Sequence, residues 1–214
     1  MKILAAHQPA IHPWLGYLDR IRQADVFVIL AGVQFEKNSF TNRNQIMLDG
    51  NPQWLTVPLK MKGHTSKPIS EMEIEQTRPW RRKHTQMIRH AYSKAPNFRN
   101  NWPKIKELYA SFTDKHFIDV YGKNLVFWMM EYGLHDKLET MQTDHHPNVK
   151  SKQLINLCEM HGCDTYLSGP FGREYLDMEA FSEAGIEVRF HEPDFQPISV
   201  IDTWMKNKGN PFSL

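Results

Sequence analysis

The apolar positions change period twice within the first thirty residues. Residues 2–6 (KILAA) form a short apolar run that predicts a strand, and residues 7–12 form a polar turn. From position 13 to 23, Trp14, Tyr17, Leu18 and Ile21 recur at helical spacing, while Asp19, Arg20 and Arg22 fall off that stripe. Pro13 suits a first helical turn, where its missing N–H would be unpaired anyway. After Asp25, residues 26–30 (VFVIL) are apolar without alternation, as in a strand covered on both faces. Strand, helix and strand in thirty residues predict a βαβ unit and a parallel sheet.

The pattern then changes. Residues 42–48 and 54–59 read as strands of a β-hairpin joined by Asp49-Gly50-Asn51-Pro52, and residues 71–75 (EMEIE) alternate like an edge strand. Helices are expected at 79–95, with Thr77 as cap and Pro96 as stop, then at 103–115 and 117–132. A strand at 137–142, a helix at 149–161 and a strand at 165–167 return the chain to an α/β rhythm. A helix at 177–184, a strand at 186–190 and a helix from the Ser199 cap through Lys208 complete it. The expectation is one α/β domain over residues 1–214: a Rossmann-like, mostly parallel sheet, with residues 32–115 as an inserted β-hairpin and helical elaboration.

The chain has 214 residues, 41% of them hydrophobic, which is enough apolar surface to close a core. The longest apolar run is far shorter than the ~20 residues of a membrane helix, and the N-terminus enters a strand directly, without a secretory pattern. Two cysteines, Cys158 and Cys163, are too few for a disulfide scaffold. A cytoplasmic chain without membrane insertion is the expectation. Net charge is +2, so the sum does not mark a nucleic-acid binder. The local basic stretch from Lys60 to Arg89 reads either as a solvated face or as an anion site.

Ligands of open parallel sheets bind where strands end and helices begin. The first such turn carries His7, Gln8 and His12 just before a helix start with free N–H groups. Two imidazoles framing one turn suggest a site for an anion. This arrangement resembles the HIGH-type nucleotidyl-transfer folds, although Gly16 lies inside the helix and the His7–His12 spacing differs from that signature.

A longer series points to a family. His7-Gln8-Pro9, Pro13-Trp14, Gly16-Tyr17, Ala24-Asp25, Val33-Gln34-Phe35 and Asn42-Arg43-Asn44 resemble the WbqC-like family. Trp54-Leu55-Thr56-Val57-Pro58, Trp80 with Arg82, Lys83 and His84, and Tyr166-Leu167-Ser168-Gly169 continue the resemblance. One departure is Ala31-Gly32, where the family pattern tends to carry an acidic residue. The resemblance implies surface-polysaccharide (O-antigen) biosynthesis, with transfer of an aminoacyl (glycyl-like) or acyl group to the amine of a nucleotide-linked amino sugar. It leaves two alternatives: amino-acid transfer to a modified nucleobase in DNA, and a non-catalytic binding or assembly subunit.

Such a transfer needs a base and donors for a developing oxyanion. His7 is the candidate base, Gln8 a donor, and His12 an orienting or phosphate-binding group. Candidate substrate contacts are Lys37, the trio Asn42, Arg43 and Asn44, then Arg82, Lys83 and His84 on a helix start, and Gly169, which admits a ligand close to the backbone. In a strand, Asn42 and Asn44 share a face that Arg43 does not. No resident cofactor is implied. The acyl donor would be a carrier-protein thioester, coenzyme A or an adenylate, and an acyl-carrier protein is an expected partner. Metal-ligand spacing is absent, and His145-His146 are adjacent.

Overall fold

The computed structural model describes residues 1–144, 151–192, 196–207 and 211–212. Five strands form a parallel sheet: β1 (Ile3–His7), β2 (Val26–Leu30), β5 (Leu138–Gln142), β6 (Thr165–Ser168) and β7 (Glu187–Phe190), in the order β5-β2-β1-β6-β7. The first connection is α1 (Leu15–Gln23), as the opening βαβ pattern requires. Every residue of β2 is buried, which explains its unbroken apolar run. β5 falls on the far side of β2, and β6 on the opposite side of β1. The strand order therefore reverses between β1 and β6, the arrangement of a Rossmann-like sheet.

Between β2 and β5 the chain makes a long excursion. It contains the antiparallel hairpin β3 (Arg43–Leu48) and β4 (Asn51–Thr56), then α2 (Trp80–Tyr92), α3 (Phe98–Ser111) and α4 (Phe117–Glu131). After β5 come α5 (Ser151–Met160), α6 (Met178–Glu183) and α7 (Val200–Lys206). Asp177 caps α6 by accepting from the Ala180 amide, and Ser199 caps α7 by accepting from Ile201. Residues 208–210, where the last expected helix was to end, lie outside the described residues, as do 145–150. No helix among the described residues is long and apolar enough to cross a membrane.

Several boundaries differ from the pattern, each for a local reason. Asp49 and Gly50 both take positive φ (50° and 78°), so the hairpin turns in two residues and β4 begins at Asn51 rather than at 54. Residues 71–75 form no edge strand: a 3-10 turn over Ile69–Glu71 leads into isolated bridges, Leu59 with Ile74 and Glu73 with His116. Thr77 does not cap α2, because its hydroxyl is held by the Glu75 carboxylate at 2.9 Å. α3 starts five residues before Pro103. Its first turn docks on α7, with the Asn97 amide donating to Met205 O (3.2 Å) and Asn101 Nδ2 to Trp204 O (2.9 Å).

Ala31-Gly32 sits where β2 ends against the end of β5. The amides of both residues donate to Gln142 O at 2.9 Å. A Cβ at Gly32 would lie 1.8 Å from the Asp144 carbonyl oxygen, backbone against backbone. Gly32→Ala should therefore cost about 1–3 kcal/mol, with Tm falling about 2–4 °C per kcal/mol. An unchanged melting temperature would contradict this packing.

Candidate functional site

At the carboxyl ends of the strands, where the order reverses, lies a cavity of about 690 Å³. His7 and Gln8 enter it from the exit of β1, and Gly16 and Arg20 from α1. Gly169 and the 3-10 turn Pro170–Glu174 enter it after β6, and His191 after β7. This is the crevice that an open α/β sheet offers a ligand.

His7 is the last residue of β1. Its Nδ1 lies 2.8 Å from Gln8 O, and a carbonyl only accepts, so Nδ1 carries the proton and Nε2 the lone pair. Nε2 makes no hydrogen bond to any described residue. Trp14 and Tyr17 stand nearly perpendicular to the ring, with centroids 5.6 and 5.1 Å away. Burial, then the nearby Arg20 charge, lowers the His7 pKa to about 4, against a weaker opposing effect of the Gln8 carbonyl. The ring is thus neutral across the physiological range. Beside it, Gln8 Oε1 accepts from the Thr41 hydroxyl (3.4 Å), which leaves the carboxamide N–H groups without a described partner.

Arg20 is the second element. β1 pairs with β2 over Leu4–His7, but with β6 only at Ile3 and Leu4. Beyond that point the carbonyls of Ala6 and Leu167 need other donors, and Arg20 Nη2 supplies both, at 2.8 and 3.3 Å. The side chain is buried, its Nε is without a partner, and no carboxylate among the described residues forms an ion pair with it. Burial lowers its pKa, but a guanidinium stays charged. An isolated buried charge costs several kcal/mol.

A third group completes the walls. His191 Nε2 lies 2.7 Å from Asp19 Oδ2, and Asp19 also accepts from Arg22 Nε (2.8 Å) and Gln23 Nε2 (2.7 Å). Burial pushes the Asp19 carboxyl upward, yet those three donors outweigh it and hold the pKa below its usual value. The carboxylate therefore fixes Nε2–H of His191 and leaves Nδ1 as the second ring nitrogen.

His12, expected beside His7, is elsewhere. It adopts φ 44°, a left-handed backbone that costs a non-glycine residue about 1–2 kcal/mol, and its ring is fully buried among aromatics. Its main chain is tied at both ends: its N–H donates to Asn124 Oδ1 (2.8 Å) and its carbonyl accepts from Asn44 Nδ2 (2.7 Å). With Oδ1 so occupied, Asn124 Nδ2 donates to His12 Nδ1 (2.9 Å), and His12 Nε2–H donates to Tyr109 Oη (2.8 Å). Tyr109 donates in turn to His84 Nδ1 (3.1 Å), and His84 Nε2–H ends the chain on Thr56 O (3.0 Å). Burial keeps the Tyr109 phenol protonated and lowers His12 to about 3 and His84 to about 4.

The remaining expected contacts divide the same way. Asn44 holds the His12 turn, and Asn42 Nδ2 donates to Val57 O at 2.8 Å. Arg43 donates to Asn38 O and lies 4.1 Å over the Trp54 ring. Lys37, Arg82 and Lys83 are exposed and do not line the cavity, and Arg82 borders a shallow groove between α2 and α3. Gly169 does line the cavity. Cys158 is buried, which pushes its thiol up to about 12. His145 and His146 lie outside the described residues.

Arg20 and His191 were missed. Gly16 and Arg20 are four residues apart and share a helix face, and His191 follows directly on a predicted strand. The end of that strand, like the end of the first, is a place where an open parallel sheet binds ligands, and this is the sequence signal for His191.

Fold and site define an α/β protein with a polar-edged cavity at the switch point of a parallel sheet. Residues 8–208 match the WbqC-like protein family, and the chain belongs to it. The chain is similar to the "Uncharacterized protein Rv1507c" of Mycobacterium tuberculosis, with 30% identity over 196 residues, 91% of this chain and 84% of that one. No solved structure matches it.

The buried histidines set a pH dependence. In the unfolded chain an imidazole titrates near 6.5, whereas His12 and His84 do so at about 3 and about 4. Between these limits the unfolded state binds more protons, so stability is full above pH 6.5 and falls as the pH drops toward 4. Each histidine contributes a slope approaching ~1.4 kcal/mol per pH unit. Urea unfolding at pH 7 and pH 5 should show this loss, with a shallower slope in His84→Met. A flat pH profile would contradict the buried chain.

Proposed function

We propose that the cavity is the active site of a transferase that attaches an aminoacyl (glycyl-like) or acyl group to the amine of a nucleotide-linked amino sugar in surface-polysaccharide (O-antigen) biosynthesis. Membership of the WbqC-like family supports the setting. The single observation that carries the chemistry is the His7 imidazole, neutral and lining the cavity with its Nε2 lone pair uncommitted.

The neutral sugar amine attacks the carbonyl carbon of the activated donor, and a C–N bond forms. The Gln8 carboxamide donates to the developing oxyanion, and His7 Nε2 accepts the amine proton. When the tetrahedral adduct collapses, the bond to the leaving group breaks. The leaving thiolate or nucleotide phosphate takes the electron pair, and His7 releases its proton to it or to solvent. A ring with a pKa of about 4 is a weak base, but it gives the proton up readily and stays neutral between turnovers. The donor is a carrier-protein thioester, coenzyme A ester or adenylate, and the acyl-carrier protein belongs to the first of these.

The parallel with HIGH-type sites draws support from the strand order. It draws none from His12, whose ring is enclosed.

Purified protein incubated with uridine-diphosphate amino sugars and glycyl or acetyl donors should yield the N-acylated sugar by mass spectrometry. His7→Gln should lower kcat by about 10²–10⁴-fold, with melting temperature within a few degrees of wild type. Because His7 is neutral above pH 5, kcat/KM should show no acid limb near pH 6.5. Undiminished turnover in His7→Gln would overturn the assignment.

A further inference from the structure

We infer that the inner wall of the cavity is a binding site for a single oxyanion, a carboxylate or a phosphate, with Arg20 as its anchor. The inference concerns binding alone and stands whether or not the transferase reading does. Its first ground is the charge balance. The Arg20 guanidinium is buried, forms no ion pair with a described residue, and leaves Nε without a partner. Buried charges are ordinarily paired. Here Nη2 is engaged by the carbonyls of Ala6 and Leu167, which fix the plane of the group without neutralising it. Nη1 makes no hydrogen bond to a described residue.

Its second ground is access. Arg20 lines the cavity, and at Gly169 on the facing turn a Cβ would come 3.3 Å from Nη1. The absence of a side chain there leaves the space in front of the guanidinium open. Gly169 has φ −71°, a conformation any residue adopts, so its backbone does not require glycine. Gly16, in the first turn of α1, lines the same space and adds to the positive potential.

The number of charges limits the ligand. Among the described lining residues Arg20 is the one permanent cation, and exposed Glu36 the one carboxylate. His7 is neutral, and the ring of His191 is committed to Asp19. One guanidinium balances one negative charge. The surrounding apolar wall, with Tyr166 and Leu154, suits the uncharged body of the same ligand.

Isothermal titration with matched anionic and neutral ligands tests this: benzoate against benzamide for a carboxylate, and uridine 5′-methylphosphate, a phosphodiester with a single charge, against uridine for a phosphate. At low ionic strength the wild-type protein should prefer the anion of at least one pair tenfold or more. A benzoate preference identifies a carboxylate ligand, and a nucleotide preference a phosphate ligand. Arg20→Met should abolish the preference, and Gly169→Val, which keeps the charge but fills the space before it, should reduce it at least fivefold. If Arg20→Met does not fold, Gly169→Val decides. The titration needs neither an acyl donor nor turnover, so a failed transferase assay and a failed anion site remain distinguishable, and Arg82→Ala, on the exposed groove outside the cavity, should keep the preference. No preference in either pair, or a preference that survives both cavity variants, would overturn the inference.

Discussion

The splaying of β1 from β6 is the constraint on which the site depends. The two central strands pair at only two positions before their chains leave in opposite directions. A parallel sheet that stops pairing leaves carbonyls to satisfy, and water at that depth would compete with the core. The fold meets this need with a side chain from the connecting helix: Arg20 donates to one carbonyl from each strand. The same solution places a positive charge at the root of the cavity. A structural requirement and a binding property thus come from one residue, and a neutral donor in its place would meet only the first.

The second requirement is that residues 7–14 hold their path between strand and helix. His12 determines this. Its left-handed backbone turns the chain, and its main chain is clamped by Asn124 from α4 and Asn44 from β3. The chain of donors through Tyr109 and His84 to Thr56 has one consistent direction, since the Asn124 carboxamide fixes one end and a carbonyl the other. It joins β4, α2, α3 and α4 behind the loop. The long excursion after β2 is therefore the support that keeps His7 and Gln8 at the mouth of the sheet.

The parallel sheet was legible in the sequence because a strand buried on both faces has no alternation, and VFVIL has none. Capping by Ser199 was legible because a short polar side chain before an apolar run has few other uses, whereas Asp177, expected inside its helix, is the cap of α6. What was not legible was decided by tertiary contact. Thr77 had a nearer partner in Glu75, and the start of α3 is set by α7 rather than by Pro103. His7 and His12 looked equivalent because the polar turn holds both, and nothing local says that the chain reverses hand between them. Arg20 read as the solvent face of α1, since periodicity separates polar from apolar positions and does not distinguish bulk water from a cavity.

Three histidines in this protein are held well below neutral pH, and the shift alone does not separate their roles. Desolvation is the largest cause for each. The difference lies in the second nitrogen. Both ring nitrogens of His12 and of His84 are committed to described partners, so neither ring has a lone pair left to accept a proton from a ligand. His7 commits one nitrogen to a carbonyl and keeps the other uncommitted on the cavity wall. An imidazole becomes a chemical group rather than a structural one when its lone pair faces a space that a substrate can enter. In this fold His7 ends β1 on the cavity wall, whereas His12, five residues further on, is enclosed in the core.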